Sequence, residues 1–389
     1  MRGFVLLFLG AIFASATTLE ERLSRLEERL TLGTQESQLV LGGRIQIDSV
    51  LSSQSVGGAG GSNGFDYLFG PQSIKAFDAN EAGEISANAQ NSRLFVQTRT
   101  PTQEGVFLES LVEIDFGGVA GNERVANAHA PRLRHAYMSY AGWLVGQSFS
   151  TFMGGEADVE QNLMDVVFVR QPMVRYSYKQ GAWQLDSALE LPETTTHEAN
   201  VTADVTPTAH DDDRVPDAVV RIGYSDTAWA LQSAFLGRYL RADTHTAWGY
   251  GINVHATYTL PNRDSMTIAY RGGSAIGRYM VYNYFADALL SSDVSLKPLD
   301  IFGWHGAYRH WWSDTLRSTL AYSAIAMDSS AYIESASMTQ SAFALHANLR
   351  YAPLRNVLWT LEGIYATRYW GRTNAASMER VMVSLRYDF

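Results

Sequence analysis

The 389 residues contain no cysteine, which excludes disulfides, thiolate nucleophiles and thiolate metal sites and suits passage through an oxidising periplasm. Beyond the first sixteen residues there is no run of eighteen apolar residues, so helical membrane spans are excluded. Charge is sparse, at 18% of residues, and its balance of -10 argues against a nucleic-acid partner. Enzyme signatures are missing too: there is no G-x-S-x-G, no H-E-x-x-H and no glycine-rich phosphate loop. The densest histidine cluster is His305 and His310 beside Trp311 and Trp312, and His310 fits a membrane-interface position better than a catalytic one. No enzymatic activity, metal or cofactor is expected.

What the chain has is 46% hydrophobic residues, 32 glycines and 20 tyrosines, with a mean hydropathy of -0.13. A transmembrane barrel averages an oily and a wet face strand by strand, so a soluble-looking mean does not exclude one. The last ten residues, R-V-M-V-S-L-R-Y-D-F, place Val381, Val383, Leu385, Tyr387 and Phe389 on one face of a strand. Met382, Ser384, Arg386 and Asp388 fall on the other. Segments of the same period occur near 39–51, 91–100, 106–116, 131–140, 143–150, 171–178, 183–191, 217–224, 228–240, 247–259, 265–275, 301–312, 315–325, 341–351, 357–368 and 379–389. The expectation is an all-β fold, a 16-stranded antiparallel transmembrane β-barrel spanning residues 34–389.

Connection lengths alternate in support. Long links, including 52–90, 117–130, 151–170, 192–216, 276–300 and 326–340, follow odd strands, and brief turns such as Ala141-Gly142 and Ser225-Asp226-Thr227 follow even ones. Short periplasmic turns and long external loops have this pattern. Aromatic residues bracket the brief turns (Tyr140 and Trp143, Tyr178 and Trp183, Tyr224 and Trp229, Trp311 and Trp312, Tyr351 and Trp359, Tyr387 and Phe389), as a girdle at headgroup level would.

Two segments precede the barrel. Residues 1–16 read as a signal peptide, with Arg2, the apolar run Phe4 to Phe13 and a small-residue cleavage site at Ala14-Ser15-Ala16. Residues 17–33 carry Leu19, Leu23, Leu26 and Leu30 as a heptad seam between charged flanks, and Gly33 as a C-cap. So short a periplasmic coiled-coil helix is marginal alone and implies self-association, although a helix lying on the barrel mouth has the same pattern.

With apolar parity taken as outward, Leu94, Val96, Leu133, Tyr137, Val174 and Tyr176 face lipid. Arg44, Arg93, Arg99, Arg132, Arg134, Arg175, Arg221 and Arg271 face the lumen, as do Gln97, Arg309, Arg317, Arg350, Arg368, Glu109, Glu113, Asp115, Asp186, Glu190 and Glu362. Sixteen strands are expected to enclose a water-filled channel, where permanently protonated guanidinium groups favour anions. The same arginines could instead pair with Glu109, Glu113 and Asp115. The link 151–170 is long enough to fold inward, bringing Glu156, Asp158, Glu160 and Asp165 opposite the arginines, or to remain outside.

Six stretches, P-R-L-R-H-A-Y at 131–137, V-G-Q-S-F-S-T-F-M at 145–153, F-V-R-Q-P-M-V-R-Y at 168–176, V-P-D-A-V-V-R at 215–221, G-R-Y at 277–279 and Y-R-H-W-W-S-D-T-L-R-S at 308–318, resemble the DcaP-like trimeric porins of Gram-negative outer membranes. The resemblance implies a homotrimer with a periplasmic coiled coil that takes up small anionic solutes such as dicarboxylates. It carries over Arg132, Arg134, Arg170, Arg175 and Arg221 as anion-binding. The sequence departs from the pattern at Gly154-Gly155-Glu156. Outer-membrane lipid and lipopolysaccharide are the other expected partners. A non-selective porin and a plugged barrel acting as an adhesin or receptor scaffold, with the 52–74 loop and Asp211-Asp212-Asp213 as its surface, are the alternatives.

Overall fold

The computed structural model describes residues 37–54, 69–74, 83–102, 105–118, 126, 128–198, 206–291, 295–328, 338–371 and 374–389. The expected signal peptide and the heptad leucines Leu19, Leu23, Leu26 and Leu30 lie outside these residues. Sixteen strands form the wall: β1 Gln38–Ser52, β2 Arg93–Pro101, β3 Phe107–Asp115, β4 Arg132–Tyr140, β5 Trp143–Phe149, β6 Arg170–Gln180, β7 Trp183–Glu190, β8 Asp217–Ser225, β9 Trp229–Ala242, β10 His245–Thr259, β11 Ser265–Ser274, β12 Asp300–Trp311, β13 Leu316–Met327, β14 Thr339–Leu354, β15 Val357–Trp370 and β16 Asn374–Asp388. Each pairs antiparallel with its sequence neighbours, and β16 pairs with β1 from Arg44↔Asp388 to Ser52↔Arg380. The closure is completed by Gly43 and Phe389, whose backbone N–H and C=O groups bond reciprocally at 3.0 Å. A closed sheet leaves no unpaired edge in hydrocarbon, where unsatisfied backbone groups are costly. No α-helix occurs among the described residues.

Turn chemistry sets the strand ends. At the β4–β5 turn Ala141 and Gly142 both take positive φ, 49° and 88°, as a two-residue hairpin requires. At the β8–β9 turn the Asp226 carboxylate accepts from the N–H groups of Ala228 (2.8 Å) and Trp229 (2.7 Å). Those N–H bonds and the Tyr224 hydroxyl hold the Asp226 carboxyl below its ordinary pKa. Aromatic residues pair across strands beside these turns, Trp143 with Tyr176 at 4.9 Å, Trp183 with Tyr224 at 5.0 Å and Trp229 with Tyr258 at 4.7 Å. A second belt, including Trp248, Tyr270, Phe302 and Trp304, stands exposed toward the long-loop end.

Four features differ from the sequence expectations. A β-bulge interrupts the β3–β4 register between Glu113↔His135 and Ile114↔Leu133, so Arg134 and His135 both turn inward and parity inverts below them. Met138 is thereby the exposed residue, and Tyr137, expected to face lipid, lies on the lumen side near Glu109, Glu113 and Arg175. Trp311 also faces inward, where the Arg263 guanidinium stacks 4.1 Å from its ring centre, so it is not a girdle residue. Part of the first long link returns as a short strand, Glu84–Asn88, which pairs with Asp48–Ser52 of β1 and continues the wall above β2.

The fourth difference is inside the barrel. Instead of an open channel throughout, the half nearer the long loops holds an apolar core. Phe69, Ile74, Phe152, Met164, Val167, Ile276, Tyr279, Met280 and Phe285 from the links pack on inward Ala188, Val219, Ala234, Leu236, Ile325, Ala342, Ala344, Ile364 and Ala366 of the wall. Burying each large side chain contributes roughly 1.5–3 kcal/mol, enough to hold loop segments inside. Segments of two links, Thr194–Glu198, Thr208–His210, Ala288–Ser291 and Ser295–Pro298, form a separate four-stranded sheet.

Candidate pore constriction

The link 151–170 runs inside the barrel, bonded to inward-facing residues of the wall from β9 round to β1. The Gln232 and Asn253 side-chain amides donate to the Met153 (3.2 Å) and Phe152 (2.8 Å) carbonyls. Arg271 Nη2 donates to the Gly154 carbonyl at 2.6 Å and the Gly155 carbonyl at 2.8 Å, and its Nη1 binds the Asp165 carboxylate. His305 Nδ1 meets the same carboxylate at 2.8 Å. Farther along, Glu362 accepts from the N–H groups of Glu160 (2.6 Å) and Gln161 (2.9 Å), and Gln46 donates to the Glu160 carboxylate at 3.0 Å.

Glycines let the segment lie this close. Gly154 and Gly155 have φ of 154° and 74°, which side chains rarely adopt, and a Cβ on Gly155 would meet the Cβ of His255 at 2.6 Å. On the wall, a Cβ at Gly303 would stand 2.7 Å from the Cβ of Asp165. Gly303→Val is therefore expected to force the segment off β12 and destabilise the folded barrel by about 1–3 kcal/mol, the usual cost of overpacking. A lower temperature for the shift between folded and unfolded electrophoretic bands would register it.

Opposite the segment stand four arginines of the adjoining wall. Together they enclose a cavity of about 350 Å³ lined by Arg44, Arg93, Arg132 and Arg134 on one side and by Glu156, Glu160, Phe168 and their neighbours on the other. Arg132 makes a forked pair with Asp115 at 2.9 and 2.7 Å, and Arg134 bridges Glu113 (2.5 Å) and Asp115 (2.8 Å). These pairings give Arg132 and Arg134 the fixed geometry of bidentate contacts and leave little of their charge uncompensated. Arg93 reaches Glu113 only at 3.6 Å. Arg44 makes no ion pair among the described residues; its Nε donates to the Asn91 carbonyl at 3.1 Å. Yet Arg44 and Arg93 are directly opposed across β1 and β2, a like-charge juxtaposition that a sheet tolerates only with a counter-charge or water at hand.

The remaining expected site residues fall elsewhere. Arg175 and Arg221 face inward nearer the short turns, Arg221 paired to Asp186 at 2.8 Å. Arg99 forms a half-exposed pair with Glu109, 3.3 Å apart at the rim. Arg170 begins β6 outside the cavity lining, its guanidinium over the Phe149 and Phe168 rings that border the cavity. Arg271, by contrast, borders the cavity while buried as the anchor of the inner segment. Of the four acids, Glu156 and Glu160 line the cavity, Glu160 while also paired to Arg350 of the wall at 2.9 Å, whereas Asp158 and Asp165 turn back to the wall on which the segment rests. Asp158 bridges Arg317 and Arg350 at 2.6 Å each. Burial raises the pKa of Glu160, with Arg350 opposing and Asp48 and Glu362 adding to the rise. Gln46, Asn91, Phe149 and Tyr282 also line the cavity and were not singled out from the sequence; they carry no charge to mark them.

The family model of the DcaP outer membrane protein matches residues 71–389. The chain belongs to the DcaP outer membrane protein family. Its fold is similar to that of the outer membrane channel DcaP of Acinetobacter baumannii, with 20% identity, a TM-score of 0.74, and coverage of 92% of this chain and 99% of that one. OmpT of Vibrio cholerae (10% identity, TM-score 0.57, 92% and 99% covered) and an anion-selective porin from Comamonas acidovorans (10%, 0.58, 91% and 100%) share the architecture. No curated protein sequence matches. This DcaP-family chain is an outer membrane protein with the barrel architecture of the porins.

Proposed function

We propose that the protein passes small hydrophilic solutes across the outer membrane with a preference for anions, dicarboxylates among them, through the gap between the Arg44–Arg93–Arg132–Arg134 wall and the 151–170 segment. The observation that carries this is the opposed Arg44 and Arg93 pair at the cavity, with one guanidinium unpaired among the described residues and one weakly paired. Another opposed arginine pair, Arg317 and Arg350, has a carboxylate between its members, that of Asp158. A solute carboxylate would have the equivalent partners at Arg44 and Arg93, whose positive charge offsets the attraction of Glu156 and Glu160 across the gap for cations. In this reading Glu156 and Glu160 orient the solute, while Asp158 and Asp165 fix the segment's place. The heptad Leu19, Leu23, Leu26 and Leu30 would join three copies as a homotrimer, exported by the 1–16 signal, with lipid and lipopolysaccharide around the outer face.

The reversal potential of single channels in a KCl gradient tests the reading. The wild type is expected to favour chloride, and Arg44→Gln with Arg93→Gln to lose that preference. One unit charge about 4 Å from a permeant ion is worth about 1 kcal/mol even in water, or about fivefold in permeability. A wild-type channel that favours potassium, or that does not discriminate, would leave the general-porin alternative.

A further inference from the structure

A second cluster of arginines lies on the wall behind the inner segment, toward the short turns. Arg309 of β12, Arg317 of β13 and Arg350 of β14 converge beside Trp311, with the Arg317 and Arg309 guanidiniums 5.3 and 5.9 Å from its ring centre. Two carboxylates reach the cluster. Asp158 takes Arg317 and Arg350 at 2.6 Å each, and Glu160 takes Arg350 at 2.9 Å. Arg309 is left with Asp158 at 4.0 Å, the outer limit of an ion pair, and its buried Nε has no hydrogen-bond partner among the described residues. Its side chain is 32% exposed, so it is the member open to the lumen.

We propose that Arg309, backed by Arg317 and Trp311, forms a second anion station on the periplasmic side of the constriction, for carboxylate-bearing solutes leaving it. The inference rests on the reading of the chain as an anion-passing channel. Three guanidiniums share two carboxylates, and the positive excess sits on the residue whose side chain is the most exposed of the three. A guanidinium over an aromatic face keeps its fork free for an oxyanion at the edge. Conduction benefits from such a station because an ion leaves a binding site readily when another weak site follows. Asp158 competes for Arg309 at its longer distance, which keeps the station weak.

The test is block of planar-bilayer current by citrate added on the side of the short turns. Wild type is expected to be blocked, and Arg309→Gln to need about tenfold more citrate for half-block, as loss of a charge-assisted hydrogen bond requires. Arg309→Lys should retain part of the block. Arg99→Gln, which removes the same charge from the rim beside Glu109, should leave it as it is. The proposal is overturned if citrate does not block wild type from that side or if Arg309→Gln blocks equally. It is also overturned if Arg44→Gln weakens the block as much, since citrate would then bind in the constriction. Wild-type reversal potential separates the two readings: no anion preference defeats the constriction proposal, whereas altered citrate block with that preference intact concerns the second station alone.

Discussion

Arg271→Ala is expected to raise single-channel conductance and to make the open current noisy. This one guanidinium holds the inner segment at two points, the Gly154 and Gly155 carbonyls and the Asp165 carboxylate, which lie on opposite sides of Glu156 and Glu160. Asp165 has no exposure, and removing its cation leaves a buried charge with only His305 and backbone partners. Breaking a buried pair from one side costs roughly 3–5 kcal/mol. The segment is cheaper to release than the barrel is to open, because its other fastenings are separate hydrogen bonds, apolar contacts and the Asp158 and Glu160 ion pairs with Arg317 and Arg350, whereas each wall strand is held by two full ladders. Arg271→Lys keeps the charge but loses the fork that reaches three acceptors, so its conductance should fall between wild type and alanine. Unchanged conductance in Arg271→Ala would mean that the apolar contacts of Phe152, Met164 and Val167 and the Asp158 bridge to Arg317 and Arg350 hold the segment in place without it.

The barrel was legible because a lipid-facing wall imposes a period of two on every strand, and all sixteen strands sit within a few residues of the expected segments. The exceptions share a cause: they depend on register and on tertiary fit, which period alone does not encode. The bulge at Arg134 shifts parity by one residue without altering composition, so Tyr137 was placed on the wrong face. Trp311 follows the inward parity of Arg309, but its neighbour Trp312 and the nearby turn made it resemble a girdle residue. The short strand Glu84–Asn88 and the four-stranded loop sheet are held by partners distant in sequence, so local pattern could not fix them.

At the constriction, the arginines could be assigned to the inward face, but their compensation could not. Nothing local distinguishes Arg132, forked onto Asp115, from Arg44, whose guanidinium meets a backbone carbonyl. The acids of the 151–170 link were expected to act together against the arginine wall. They divide instead according to the wall residues that each one meets: Arg317 and Arg350 take Asp158, Arg271 takes Asp165, Arg350 also reaches Glu160 at the cavity's edge, and Glu156 borders the cavity. The apolar interior did leave a trace. Ala188, Ala234, Ala342, Ala344 and Ala366 are small inward residues at the long-loop ends of their strands, where loop side chains need room.

The same half of the barrel contains the group whose loss should most disturb the external links. Arg238 of β9 is 1% exposed and donates to Asp217 at 3.1 Å, to Asp287 at 2.7 Å, and to the carbonyls of Ala275 (2.7 Å) and Glu193 (2.6 Å). Asp287 in turn accepts from the Thr195 N–H at 2.9 Å and the Arg278 N–H at 2.9 Å, so the cation sits where the 192–216 and 275–299 links meet the wall. Arg238→Met fills similar volume but strands two buried carboxylates, and roughly 3–5 kcal/mol of stabilisation should be lost. That loss is expected in the links first, because the strand ladders of β8, β9 and β10 do not pass through this side chain. Limited proteolysis should then cut within both links while the remaining barrel still migrates as a folded species before heating. Adding Asp217→Asn and Asp287→Asn to Arg238→Met removes the stranded charges and should restore much of the protease resistance, since a buried pair replaced on both sides costs far less than one broken on one side. Cleavage confined to neither link, or no rescue in the triple variant, would show that the apolar contacts of Ile276, Tyr279 and Met280 dock these links without the ionic cluster.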